Sequence, residues 1–96
     1  MVRSYEAMFV LHPKVEDEAV DSLVERFQKV VTDGGGEVLK SEKWGRRKLA
    51  YEIEKCTEGF YVVMDFRSES AVAQELERVL KITDEVIRYL LVRLEE

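Results

Sequence analysis

Six apolar residues, Val20, Leu23, Val24, Phe27, Val30 and Val31, recur at offsets of 0, 3, 4, 7, 10 and 11. That is the period of a helix with one buried face. Glu16, Asp17 and Glu18 precede the stripe, where the helix macrodipole favours carboxylates. Asp33-Gly34-Gly35-Gly36 follows it with residues that tolerate left-handed backbone and end a helix. An amphipathic helix needs a second apolar surface to pack on, so the flanking segments have to supply one.

Those flanks are β-prone. Residues 5–11 form a short apolar run closed by His12-Pro13. Residues 37–53 read as a long strand interrupted at Trp44-Gly45, where a glycine suggests a bulge or bend. Glu54 to Gly59 reads as a hairpin turn, and Phe60 to Phe66 as a strand. Residues 69–82 have a second helical stripe, Val72, Leu76, Val79 and Leu80, with Ser68 or Ser70 as its cap. Residues 86–94 finish as a strand. The order β-α-β-β-α-β is the split βαβ, or ferredoxin-like, arrangement of the α+β class. Right-handed crossovers then place both helices on one face of a four-stranded antiparallel sheet. The first and last strands are expected as its central pair. With no linker or low-complexity segment, residues 1–96 read as a single domain.

Strand alternation divides the apolar residues between two faces. Ala7, Phe9, Leu11, Val62, Met64, Phe66, Tyr89 and Leu91 point inward under the helices. The opposite parity holds Met8, Val10, Tyr61, Val63, Leu90 and Val92, where a one-sided sheet should be polar. An apolar open face marks a protein interface. The alternative is that parity slips at bulges and some of these residues are core.

The inventory for catalysis is thin. His12 is the single histidine and sits in a loop; Cys56 is the single cysteine. Zinc sites need about four such ligands, and a hydrolytic triad needs a well-placed histidine. Gly34 to Gly36 follow a helix, whereas a phosphate-cradling loop precedes one. No enzyme activity, metal or cofactor is expected. Glu95 and Glu96 read as a solvated chain end. One cysteine forms no internal disulfide, which fits a reducing compartment. No apolar run is long enough to span a membrane, and the N-terminus lacks the apolar core of a signal peptide. A cytoplasmic location is expected.

Charge is uneven. Lys40 to Lys55 holds six Lys/Arg against three Glu, while the rest has nine basic and 17 acidic residues. The net charge of −5 argues against coating nucleic acid by bulk electrostatics. A basic, aromatic-punctuated stretch in an acidic chain points to a local anionic partner, nucleic acid first.

That stretch, Trp44-Gly45-Arg46-Arg47-Lys48-Leu49-Ala50-Tyr51, resembles the W-G-x-R-x-L-A-Y segment of bacterial small-subunit ribosomal protein six. Tyr5-Glu6, Pro13, Gly59-Phe60-Tyr61 and Asp84-Glu85-Val86-Ile87-Arg88 are similar to that family in order and spacing, over nearly the whole chain. One departure is Glu52, where relatives commonly have proline. The chain also ends at Glu96 without the longer acidic tail of some relatives. The resemblance implies a ferredoxin-like structural component of the small ribosomal subunit. It implies binding to the central domain of 16S rRNA, as a heterodimer with small-subunit protein eighteen. Such a partner would account for an apolar sheet face.

A strand sends Arg47 to one face and Arg46 and Lys48 to the other. Salt bridges to Glu42, Glu52 or Glu54 compete with RNA contact for these residues. Arg3, Lys81, Arg88 and Arg93 complete the RNA-contact candidates, with Arg3 and Arg88 expected near one sheet edge. Two other classes share the element order. An RNA-recognition-motif domain would stack bases on Phe60 and its neighbours, but the run from Glu58 to Phe66 lacks the basic first position and the aromatic fifth. An acylphosphatase-like enzyme needs an anion loop before its first helix, and Leu11 to Val15 has no glycine. A metabolite-binding regulatory domain is a further option, for which the sequence gives no pocket signal.

Overall fold

The structure, a computed structural model, describes residues 1–94, so Glu95 and Glu96 lie outside the described residues. The elements run β1 (Val2–Leu11), α1 (Asp17–Asp33), β2 (Glu37–Ile53), β3 (Cys56–Glu69), α2 (Ser70–Ile82) and β4 (Val86–Arg93). This is the expected β-α-β-β-α-β order. The sheet order is β2-β3-β1-β4, and every neighbouring pair is antiparallel.

That order corrects one expectation: β3 and β1 are the central pair, and β4 lies at an edge. The crossover from β1 through α1 leaves a one-strand gap before β2. The β2–β3 hairpin then folds β3 back into the gap. The second crossover carries β4 to the remaining edge of β1.

The core lies between the helices and one sheet face. Val20, Leu23, Val24, Phe27 and Val31 of α1 are buried, as are Ala73, Leu76, Val79 and Leu80 of α2. They meet Tyr5, Ala7, Phe9 and Leu11 of β1 and Phe60, Val62, Met64 and Phe66 of β3. Phe27 packs edge-on against Phe9 at 5.0 Å between ring centroids, and Tyr5 stacks on Phe66 at 5.3 Å. Edge-on and offset rings place the positive rim of one near the negative face of the other. The inward parity expected from the sequence is the observed one.

Element ends depart from the sequence expectation for local reasons. β1 begins at Val2 because β3 supplies hydrogen-bonding partners as far as Val2↔Glu69. Neither serine caps α2: Glu69 is its N-cap without a side-chain bond, and the Ser68 hydroxyl donates to the Glu69 carbonyl at 2.9 Å. The hairpin turn is only Glu54-Lys55, both at positive φ (48° and 65°), closed by Ile53↔Cys56. That geometry matches the right-handed twist of the strands it joins. β2 is continuous through Trp44-Gly45, but its register slips there and Gly45 has φ 86°. The interruption is therefore a bulge.

Candidate nucleic-acid and protein interface

The uncovered sheet face can be built row by row, because paired residues in adjacent antiparallel strands share a face. Lys40, Asp65, Glu6 and Val92 form one row across the four strands. Glu42, Val63, Met8 and Leu90 form the next. Gly45, Tyr61, Val10 and Arg88 form the third. All six residues expected at a partner interface thus lie on this face. Leu90 is 49% exposed and Val92 38%; Met8, Tyr61 and Val63 are half-buried. Val10 departs from that expectation: it is only 3% exposed. Gly59, with no side chain, lets the Val10 methyls sink against its backbone. Val10 is therefore the floor of a dimple of about 150 Å³, bordered by Met8, Tyr61, Arg88 and Leu90.

One end of the face is acidic. Glu6 and Asp65 are directly opposed across β1 and β3. Among the described residues, the buried Asp65 Oδ1 has no hydrogen-bond partner. A proton held on Glu6 would supply the missing donor. That hydrogen bond, reinforced by desolvation and by repulsion from Asp65, raises the Glu6 carboxyl above its ordinary pKa. Lys40, whose ammonium sits 2.7 Å from Glu42, opposes that rise by its positive charge without cancelling it. That contact raises Lys40 and lowers Glu42, and the Trp44 indole N–H lowers Glu42 further.

The raised Glu6 pKa fixes the sign of a pH effect. The folded state holds a proton that the unfolded state has released, so the stabilisation is complete below the ordinary value. It is lost as pH rises through the raised value. Glu6→Gln removes the repulsion and leaves an amide donor for Asp65. At pH 7 it should stabilise the fold by about 0.5–1 kcal/mol, the scale of a cross-strand pair. The gain should vanish near pH 4. Denaturant unfolding of both proteins at the two pH values checks this; an equal difference at both would refute the shared proton.

The expected RNA-contact residues do not form one patch. Arg46 points to the helix side and clasps the loop before α1. Its Nη2 donates to the Val15 carbonyl at 2.8 Å and its Nε to the Pro13 carbonyl at 3.3 Å. Its Nη1 lies 3.5 Å from Asp17, and its Cζ lies 5.6 Å from the Phe60 ring centroid. Lys43 shares this face and pairs with Asp21 of α1. Arg47 takes the opposite side, as alternation predicts, and covers the Trp44 ring at 5.1 Å. Among the described residues, Glu42, Glu52 and Glu54, expected as competing partners of this stretch, form no ion pair with Arg46, Arg47 or Lys48; Glu42 pairs with Lys40 instead. Lys48 is exposed on the hairpin.

Lys81 and Arg88 border a groove of about 240 Å³ beside the hairpin tip at Glu54. Arg3 and Arg93 belong to the other end of the sheet, around the Tyr5↔Arg93 pair. Arg3 lies seven residues along β1 from Val10, the partner of Arg88, which is roughly 23 Å. The expectation that Arg3 and Arg88 lie near one edge of the sheet is therefore overturned: β1 is a central strand, and the register sets the two at opposite ends of the sheet.

Two aromatic residues not named from the sequence as site residues stand out. Trp44 is 44% exposed and Tyr51 61%. The Trp44 indole donates to Glu42 at 3.0 Å. The Tyr51 hydroxyl accepts from Arg88 Nη1 at 2.9 Å, and the Arg88 guanidinium lies 5.7 Å from the Tyr51 ring centroid. Both belong to the signature stretch, but only the bulge and the hairpin's reach toward β4 create these pairs. Phe60 and Val62, by contrast, are buried beneath the helices. The base-stacking strand of an RNA-recognition motif is therefore not formed there.

No cluster of histidine, cysteine or carboxylate side chains among the described residues has the makings of a metal site. The described residues include no helix long and apolar enough to cross a membrane. A four-stranded sheet roofed on one side by two helices defines a ferredoxin-like domain; its opposite face is apolar and flanked by charge. The sequence profile described as Ribosomal protein S6 matches residues 4–93. The small ribosomal subunit protein bS6 of Moorella thermoacetica is 53% identical over 95 residues, covering 99% of this chain and 97% of its own. That of Thermoanaerobacter pseudethanolicus is 52% identical, covering 99% and 100%. A crystal structure of 30S ribosomal protein S6 from Thermotoga maritima superposes with a TM-score of 0.92 at 41% identity, covering 98% of this chain and 89% of that one. The chain belongs to the ribosomal protein S6 family, and with it to the proteins of the small ribosomal subunit.

Proposed function

We propose that this chain is a non-catalytic assembly protein that binds the central domain of 16S rRNA cooperatively with small-subunit protein eighteen. The open sheet face receives the protein partner, and separate basic side chains meet RNA. The observation that carries this reading is the apolar row Met8, Val63 and Leu90 in the middle of an uncovered sheet. An apolar row left partly open to water is explained by a protein that covers it. A net charge of −5 supports the cooperative part, because RNA affinity rests largely on phosphate neutralisation. Alone, the chain is a weak RNA binder; the heterodimer binds more tightly.

Titration of a central-domain rRNA fragment with the chain, with and without protein eighteen, tests this at physiological salt. Tight binding should require both proteins. Leu90→Asp places a charge in the apolar row and should weaken the heterodimer at least about tenfold, the effect of a buried uncompensated charge at an interface. Nanomolar RNA binding by the isolated chain, or a Leu90→Asp variant that pairs normally, would sink the cooperative reading.

A further inference from the structure

We infer that Trp44 with Arg47, and Tyr51 with Arg88, form a stacking platform for unpaired RNA bases. This rests on the RNA-binding reading above and specifies the chemical class of its ligand. Large aromatic rings are ordinarily buried, yet these two remain 44% and 61% exposed. Neither ring is loose. The Trp44 indole is anchored to Glu42, and the Tyr51 hydroxyl to Arg88. Each also has a guanidinium within cation–π distance of its centroid, at 5.1 and 5.7 Å. A ring held in place by its edge and backed by a cation is a preorganised surface for a base. Its ligand loses less freedom on binding than one meeting a mobile side chain.

The backbone builds this arrangement. The bulge between Lys43 and Gly45, with Gly45 at φ 86°, adds Trp44 as an extra residue in β2. There it contacts Glu42 and Arg47. Tyr51 lies on the hairpin that extends past the Leu11↔Phe60 pair and reaches Arg88 on β4. Trp44 and Tyr51 are seven residues apart in one strand, about 23 Å between their Cα atoms along an extended strand. That span suits a short single strand. Duplex RNA hides its base faces within the helix, whereas loops and bulges splay them out for aromatic side chains.

The guanidiniums beside the two rings favour an anionic ligand at this end. Arg47 and Lys48 on the hairpin and Lys81 and Arg88 at its groove bring cations to this end among Glu52, Glu54 and Glu58, while the carboxyl pair Glu6 and Asp65 occupies the opposite end of the face. A phosphate beside either ring meets a guanidinium, whereas at the other end it meets the Glu6 and Asp65 carboxyls.

Trp44 is the chain's only tryptophan, so its fluorescence reads the platform directly. The test titrates the full chain, with protein eighteen present, against the central-domain rRNA fragment. Wild-type fluorescence should be quenched on binding. Trp44→Ala and Tyr51→Ala should each weaken RNA affinity about tenfold, within the range for loss of one stacked base. Trp44→Phe and Tyr51→Phe keep a ring and should stay within about threefold. Removing a ring should leave the salt dependence of binding unchanged, whereas Arg47→Ala should lower its slope by about one. Thermal melts confirm that the surface variants fold. RNA binding with unquenched Trp44 and unaffected alanine variants would overturn the platform while leaving RNA binding intact. Loss of protein-eighteen binding in Trp44→Ala, with RNA affinity unchanged, would reassign the rings to the protein partner. No RNA binding by the wild-type pair would instead refute the underlying reading.

Discussion

Gly59→Ala is expected to lower the unfolding free energy by about 2 kcal/mol, within the range for forcing a methyl into a packed site. A Cβ there would lie 2.3 Å from Val10 Cγ1 and 3.2 Å from the Leu11 carbonyl oxygen. The first distance is far inside contact, so Val10 has to move. Being 3% exposed and otherwise packed, it can give way only into the dimple whose floor it forms. For a domain of this size the loss corresponds to a fall in Tm of roughly 10 °C. Val10→Ala in the same chain removes the clashing methyl. The double variant should therefore be less destabilised than the sum of the two single costs, by about 1 kcal/mol. Additive costs in denaturant unfolding would show that the clash is not with Val10. The same substitution should weaken the protein partner's binding, because a displaced Val10 changes the dimple's shape.

Arg46→Ala is expected to cost about 1–2 kcal/mol, toward the low end for hydrogen bonds to a charged donor because the side chain is partly exposed. Its guanidinium spans two carbonyls and approaches Asp17 while covering Phe60. Removing it releases the loop between β1 and α1 from the sheet. Arg46→Lys keeps the charge but not the planar fork, and one ammonium cannot reproduce the two-carbonyl geometry. It should recover no more than about half of the loss. Amide hydrogen exchange should quicken first in residues 12–16. RNA affinity should change less for Arg46→Ala than for Arg47→Ala, since the clasp occupies the first guanidinium. A Tm equal to wild type would remove the clasp from the account of the fold.

Family membership and fold are legible in the sequence for a physical reason. The helical stripe from Val20 to Val31 and the alternation in Phe60 to Phe66 are local periodicities, and local periodicity decides which side of an element is apolar. The same alternation separates Arg47 from Arg46 and places Met8, Val63 and Leu90 on the uncovered face. Gly45 is legible as a bulge because few other residues accept its backbone conformation.

Other features depend on residues far apart in the chain. Arg46 reads as a candidate RNA contact until Pro13 and Val15, 33 and 31 residues earlier, appear beside it. The Glu6–Asp65 repulsion requires the β1–β3 register, and the Tyr51–Arg88 pair requires the reach of the hairpin toward β4. Sequence signatures such as Trp44 to Tyr51 mark where a family concentrates its constraints, without assigning each side chain to core, clasp or surface.

The sequence by itself determined the element order, the two apolar faces of the sheet and the uneven charge, because each follows from residues close together along the chain. Tertiary structure alone decided that β3 and β1 are central, that Val10 is a floor and that Arg46 is a clasp. It also set two rings beside two guanidiniums at one end of the open face. Those outcomes depend on strand register and on close approach across the sheet, where a one-residue slip sends a side chain to the other face.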